Sequence, residues 1–142
     1  MIRSKKYDVS GLLEAEFEPG SRKQVLKNLL GIKSKRAMDQ KEAQGQLRTL
    51  NEISQLFGEN HRFTAQDICG IHKIWLGRIY PWAGQYRQVN LNKGGFDFAR
   101  AMVIPANMEV FEKGILRQYT PCRDSPMNRY WKLLRPSRSN EF

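Results

Sequence analysis

The chain has 142 residues, 40% of them apolar, and a formal net charge of +10, which fits one domain with a single core and an anionic partner such as ATP, nucleic acid or an acidic protein. No stretch approaches the roughly 20 apolar residues a membrane span needs, and the charged start, Met1-Ile2-Arg3-Ser4-Lys5-Lys6, lacks the apolar run of a secretory signal. Cys69 and Cys122 are too few and too unpatterned for a disulfide framework or a metal site, so a cytoplasmic protein without a membrane partner is expected.

The first twenty residues have no sustained period and end at Pro19-Gly20, a turn signal. Ser21 is placed to cap a short helix with apolar positions Val25, Leu26, Leu29 and Leu30, closed by Gly31 and the apolar contact of Ile32. A charged linker over residues 33–36 precedes a longer helix over residues 38–57. There Ala43, Leu47, Leu50, Ser54 and Phe57 recur at three- and four-residue steps beside Ile53, and Gly58 ends it. Thr64 and Asp67 form a capping-box start for a second helix with Ile68, Ile71, His72 and Trp75 on one face, ending at Gly77.

Residues 86–91 and 96–98 alternate polar and apolar around Asn92-Lys93-Gly94-Gly95, the signature of a β-hairpin. A further helix opens at Pro105 and buries Met108, Phe111 and Ile115, and Thr120-Pro121-Cys122 breaks it. From Met127 the pattern changes: residues 127–135 have no helical stripe, and Pro136-Ser137-Arg138-Ser139-Asn140 reads as disordered. The fold class is therefore mainly α with one hairpin. The expected organisation is an N-terminal segment (1–20), one domain (21–126) and an aberrant basic tail (127–142).

The order Ile71-His72-Lys73, Tyr80-Pro81-Trp82-Ala83-Gly84, Tyr86-Arg87-Gln88-Val89-Asn90 and Lys93-Gly94-Gly95 resembles the Fic (Fic/Doc, or Fido) family. Residues 25–32, Val-Leu-Lys-Asn-Leu-Leu-Gly-Ile, are similar to that family's N-terminal LKN-x-LGI stretch. The resemblance covers residues 22–123. It implies a Fic-like helical domain incomplete at its C-terminus, and a parent activity that moves AMP from ATP to a Ser, Thr or Tyr hydroxyl with magnesium on the phosphates. The matching hairpin in the family is the flap, which docks a protein target by strand addition. The resemblance therefore makes Asn90, Leu91, Asn92 and Lys93 target-docking residues and sets Lys93 and Gly94 against the nucleotide.

The family's HPFx(D/E)GNGR loop does not occur in these 142 residues. That loop supplies the base, the metal-binding carboxylate and the anion cradle at a helix N-terminus. His61-Arg62-Phe63 opens similarly but continues Thr64-Ala65-Gln66-Asp67 and precedes the Tyr80–Gly84 stretch, so it reads as a helix-entry loop. His72 matches a packing position of the family's helix, and no histidine follows it. No residue is therefore assigned a catalytic or metal-binding role, and ATP and magnesium are not expected to bind productively. The family's inhibitory (S/T)xxxE(G/N) helix finds only Ser10 to Glu14, followed by Ala15. The expectation is an inactive portion of an adenylyltransferase. The alternatives are a small basic nucleic-acid-binding protein gripping phosphates with its Lys/Arg-rich ends, Tyr130 and Trp131, and a catalytically dead Fic fold kept as a binding partner.

The genetic code adds one observation about the tail. Reading begins at the third base of the Met127 codon. The G of Met with AA of Asn128 gives Glu; the last base of Tyr130 with TG of Trp131 gives Leu; the G of Trp131 with AA of Lys132 gives Glu. The shifted frame fixes these three residues, at the spacing Glu-x-x-Leu-Glu, whatever codons are used. That is amphipathic helix chemistry, where the written frame gives Trp, Arg and Pro without a period.

Overall fold

The computed structural model describes residues 12–121, so the tail and its reading lie outside the described residues. Three helices carry the fold. Helix α1 (Lys35–Leu56) starts at Ser34, whose hydroxyl accepts from the Ala37 N–H at 3.3 Å. Helix α2 (Ala65–Leu76) starts with the full reciprocal capping box of Thr64 and Asp67. Helix α3 (Ile104–Phe111) has Pro105 in its first turn and continues through a π-helical turn, Glu112–Leu116, into a last helical turn, Arg117–Tyr119. Strands β1 (Asn92–Lys93) and β2 (Phe96–Asp97) pair antiparallel between α2 and α3. Short 3-10 turns lie at Leu13–Ala15 and Ala101–Val103. Among the described residues no helix is long and apolar enough to cross a membrane.

The core is Val25, Met38, Leu76, Ile79, Tyr80 and Ala83, with Leu26, Ile32, Trp75 and Trp82 packed against it. Helices α1 and α2 meet at Gly45, where a Cβ would stand 3.0 Å from the Trp75 carbonyl oxygen and 3.3 Å from its ring. The Trp75 indole N–H donates to the Glu42 carbonyl at 2.9 Å, which fixes the ring across the helix pair.

Four expectations from the sequence change. Residues 21–30 are not a helix. Arg22 and Lys23 hold φ of 55° and 58°, Phe17 and Leu26 form a β-bridge, and Glu18 and Lys27 amides donate to Val25 and Glu16 carbonyls. The buried Ser21 hydroxyl bonds both the N–H and the carbonyl of Val25, so it holds a turn and caps no helix. Asn28 organises residues 26–32: its amide donates to the Leu26 and Ile32 carbonyls while its oxygen accepts from the Leu30 and Ile32 amides. A side chain that satisfies this many backbone groups removes the need for a helix.

The supposed linker at 33–36 belongs partly to α1, because Ser34 supplies the cap and Lys35 and Arg36 are good helix formers. The buried face of α1 is Met38, Gly45 and Thr49, while Leu47 and Leu50 are 70% and 55% exposed and Ala43 and Ser54 are exposed too. Close approach to Trp75 needs a glycine, and this selects the opposite face from the one the leucines mark. Finally, Ile115 is 49% exposed and Leu116 takes the buried place. The π-turn adds one residue, which rotates later side chains by about 100°.

Candidate functional site

The hairpin is shorter than its sequence suggests, and its geometry comes from the turn. Lys93 faces Phe96 and Asn92 faces Asp97, so the loop is Gly94-Gly95 alone, with φ of 59° and 82°. Positive φ at both loop positions is the type I′ geometry that matches strand twist, and glycine adopts it without strain. A Cβ at either glycine would meet nothing within 4 Å, so the tip stands free of the body. Residues 86–91 do not pair as a strand beyond Leu91, whose carbonyl accepts from the Phe98 amide at 3.1 Å.

Antiparallel pairs alternate between hydrogen-bonded and open. With Leu91 and Phe98 bonded, the Asn92–Asp97 pair is the open one, and its main-chain N–H and carbonyl groups point away from the hairpin. An extended peptide can add there. Phe96 and Phe98 share one face, 5.2 Å apart edge to face, and Phe96 is 65% exposed. The Asn92 amide reaches across to Asp97 at 2.6 Å and stiffens the outer rung.

The base of the hairpin is clamped to the body. One Arg87 nitrogen donates to the Val89 carbonyl at 2.7 Å and the other to the Ala99 carbonyl, so a single guanidinium bridges both legs. Asn90 accepts from the Ala101 amide at 2.8 Å. Its side chain thus serves the hairpin's foot. Arg87 has no role in the sequence reading, and its place between the Gly84 bend and Val89 is the signal that could have found it. The Glu14 carboxylate accepts from the Gln88 amide, so the Leu13–Ala15 turn covers this part of the incoming leg.

Behind the hairpin lies the corner at residues 80–84. The Tyr80 hydroxyl donates to Glu42 at 2.8 Å, and burial together with Glu42 pushes its pKa up. Trp82 stacks on Tyr80 at 4.6 Å. Gly84, with φ of 83°, donates its N–H to Nδ1 of His72 at 2.8 Å. His72 therefore packs and accepts a hydrogen bond, and burial lowers its pKa. His61 holds Asp67 at 2.8 Å, with its ring 4.5 Å from Phe57 and 4.9 Å from Phe63. Partial burial opposes the Asp67 charge, but the bonds from His61 and Thr64 outweigh it and hold the carboxyl below its ordinary value. Both histidines are thereby committed to the scaffold.

Between α2, residues 82–91 and α3 is a cavity of about 440 Å³, lined mainly by apolar groups including Leu26, Ile68, Val89, Leu91 and Met108. Gly94 lies outside its lining. Among the described residues no three of His, Cys, Asp and Glu gather to hold a metal, and Asp97 at the hairpin is engaged by Asn92.

A helical scaffold with a free hairpin held over a Tyr-Pro-Trp-Ala-Gly corner defines a Fic-type domain. The Fic/DOC family model matches residues 62–125. The chain is similar in structure to the N-terminal Fic domain of a Bartonella effector protein (Bep), a substrate of the VirB T4SS, from Bartonella sp. AR 15-3. The TM-score is 0.67 at 19% identity, over 87% of this chain and 60% of that one. Residues 62–125 thus match the Fic/DOC family, the chain shares the fold of that solved Fic domain, and it spans 60% of that relative's length.

Proposed function

We propose that this chain is the target-docking part of a Fic-type protein adenylyltransferase. Its hairpin receives an extended segment of a protein, and the parent activity moves AMP from ATP to a hydroxyl on that segment. The observation that supports this reading is the outward main chain of Asn92, beside a turn whose Gly94 and Gly95 face open space. Main-chain pairing fixes where a hydroxyl lies while tolerating varied side chains. Arg87 and Asn90 at the base keep the two legs in place for it. These 142 residues contain no HPFx(D/E)GNGR stretch, so on this reading the polypeptide by itself docks a target and transfers no AMP.

A graft tests the docking role. Residues 86–100 are placed on a Fic domain that transfers AMP, and labelled proteins are compared. The graft should label a different set of proteins, and Asn92→Pro within it should abolish that labelling by removing the outward N–H. An unchanged set of labelled proteins, with and without Asn92→Pro, overturns the docking role.

A further inference from the structure

The cavity behind the hairpin is built for an apolar occupant. Its lining includes only two charged residues, Glu14 and Arg87, and both are spent on backbone groups of residues 88, 89 and 99. His72 contributes a nitrogen already committed to Gly84. Gln85, Tyr86 and Trp82, whose buried indole N–H has no partner, are the few polar groups left at the wall, whereas Leu26, Ile68, Val89, Leu91 and Met108 make most of it apolar. Among the described residues no large side chain is fully buried, which is the mark of a core short of one layer. The chain covers 60% of the solved Fic domain to which it is similar.

The chain also points to where that layer comes from. The helical run from α3 ends at Tyr119, and the Thr120 hydroxyl accepts from the Phe63 amide at 3.0 Å, just before α2. Ile68, in the second turn of α2, is on the cavity wall. A segment following residue 121 therefore starts about one or two helical turns along α2 from the cavity. The written sequence there, residues 127–135, has no apolar stripe, but the shifted frame forces Glu-x-x-Leu-Glu, all strong helix formers.

We propose that the cavity seats an amphipathic helix following α3 and encoded out of frame with residues 127–142, its reading beginning at the third base of the Met127 codon. The helix lays its apolar face on Ile68, Leu91 and Met108 and its carboxylates toward solvent. This inference does not depend on AMP transfer, and no part of its test contains ATP.

The DNA downstream of the Met127 codon is read in the shifted frame, and a second protein is made that continues in that frame from residue 126 to its first stop. It is compared with the 142-residue chain by binding of the apolar dye ANS and by thermal unfolding. The continued protein should bind several-fold less dye and unfold at a higher temperature. Met108→Asp in it should restore dye binding, and the exposed Leu47→Asp should not. A stop within the first few codons of the shifted frame overturns the proposal, as does a continued protein that matches the 142-residue chain in both readings. So does a 142-residue chain that already excludes the dye and admits it on Tyr130→Ala and Trp131→Ala, because its own tail would then be the occupant.

Discussion

The Gly84 amide donates to Nδ1 of His72 at 2.8 Å, so the ring nitrogen that faces the corner is an acceptor and His72 is neutral in the folded chain. Protonation would break this bond, and burial already disfavours the charged ring. The folded pKa is lowered, so between it and the ordinary value of 6.5 the unfolded chain binds the extra proton. Stability is then fully present above about pH 6.5 and is lost as pH falls through the folded value. The thermal midpoint should drop between about pH 7.5 and pH 5.5, and His72→Gln, which keeps an acceptor, should flatten that slope. Asp67 acts in a separate, more acidic window. Burial opposes its charge, its partners His61 and Thr64 prevail, and their contribution fades only as pH falls below the ordinary value of 3.8.

Two glycines hold the corner and the helix pair. At Gly84, with φ of 83°, a Cβ would stand 2.7 Å from the Lys73 Cβ and 3.0 Å from the Cys69 carbonyl, both on α2. Gly84→Ala should cost on the order of 3 kcal/mol from strain and overpacking together. At Gly45 the added methyl meets the Trp75 carbonyl at 3.0 Å, but alanine favours the helix by about 1 kcal/mol, so a net loss of about 1 kcal/mol is expected. Gly58→Ala, with open space around it, is the control and should stay within about 0.5 kcal/mol. Denaturant midpoints at constant slope give all three values.

The hairpin tip depends on backbone geometry alone, since Gly94 has φ of 59° and no neighbour within 4 Å. Gly94→Asn should be tolerated, because Asn-Gly suits the same turn, whereas Gly94→Val should open it. Hydrogen exchange at the Phe98 amide, which bonds the Leu91 carbonyl, reads this directly. Exchange should quicken in the valine variant only.

Where one local signal decides the outcome, the sequence is legible. Thr64 with Asp67, Pro105 and Gly94-Gly95 each specify a backbone state, and α2, α3 and the turn lie where these place them. Legibility fails where a side chain overrides the apolar period. Asn28 satisfies backbone groups over residues 26–32 and replaces a helix with a loop. Gly45 reads as a weak helix position, yet it selects the buried face of α1, because only there can Trp75 approach. The π-turn at Glu112–Leu116 moves burial from Ile115 to Leu116, and nothing in a three- and four-residue period marks such a turn. At the candidate site, the Gly94-Gly95 turn of the hairpin is readable. The Arg87 bridge to Val89 and Ala99 is not, because it joins groups twelve residues apart.

If this polypeptide supplies a Fic fold and a docking hairpin without the groups for AMP transfer, it should be inert toward ATP by itself. The purified 142-residue chain is incubated with ATP labelled on its α-phosphate, magnesium and cell extract, and labelled protein is sought. No labelled protein should form, because both histidines, His61 and His72, are held in scaffold hydrogen bonds and no metal-binding cluster exists among the described residues. Robust labelling that survives repurification of the chain, and that is lost in Gly94→Val, would contradict this and place the chemistry within these residues.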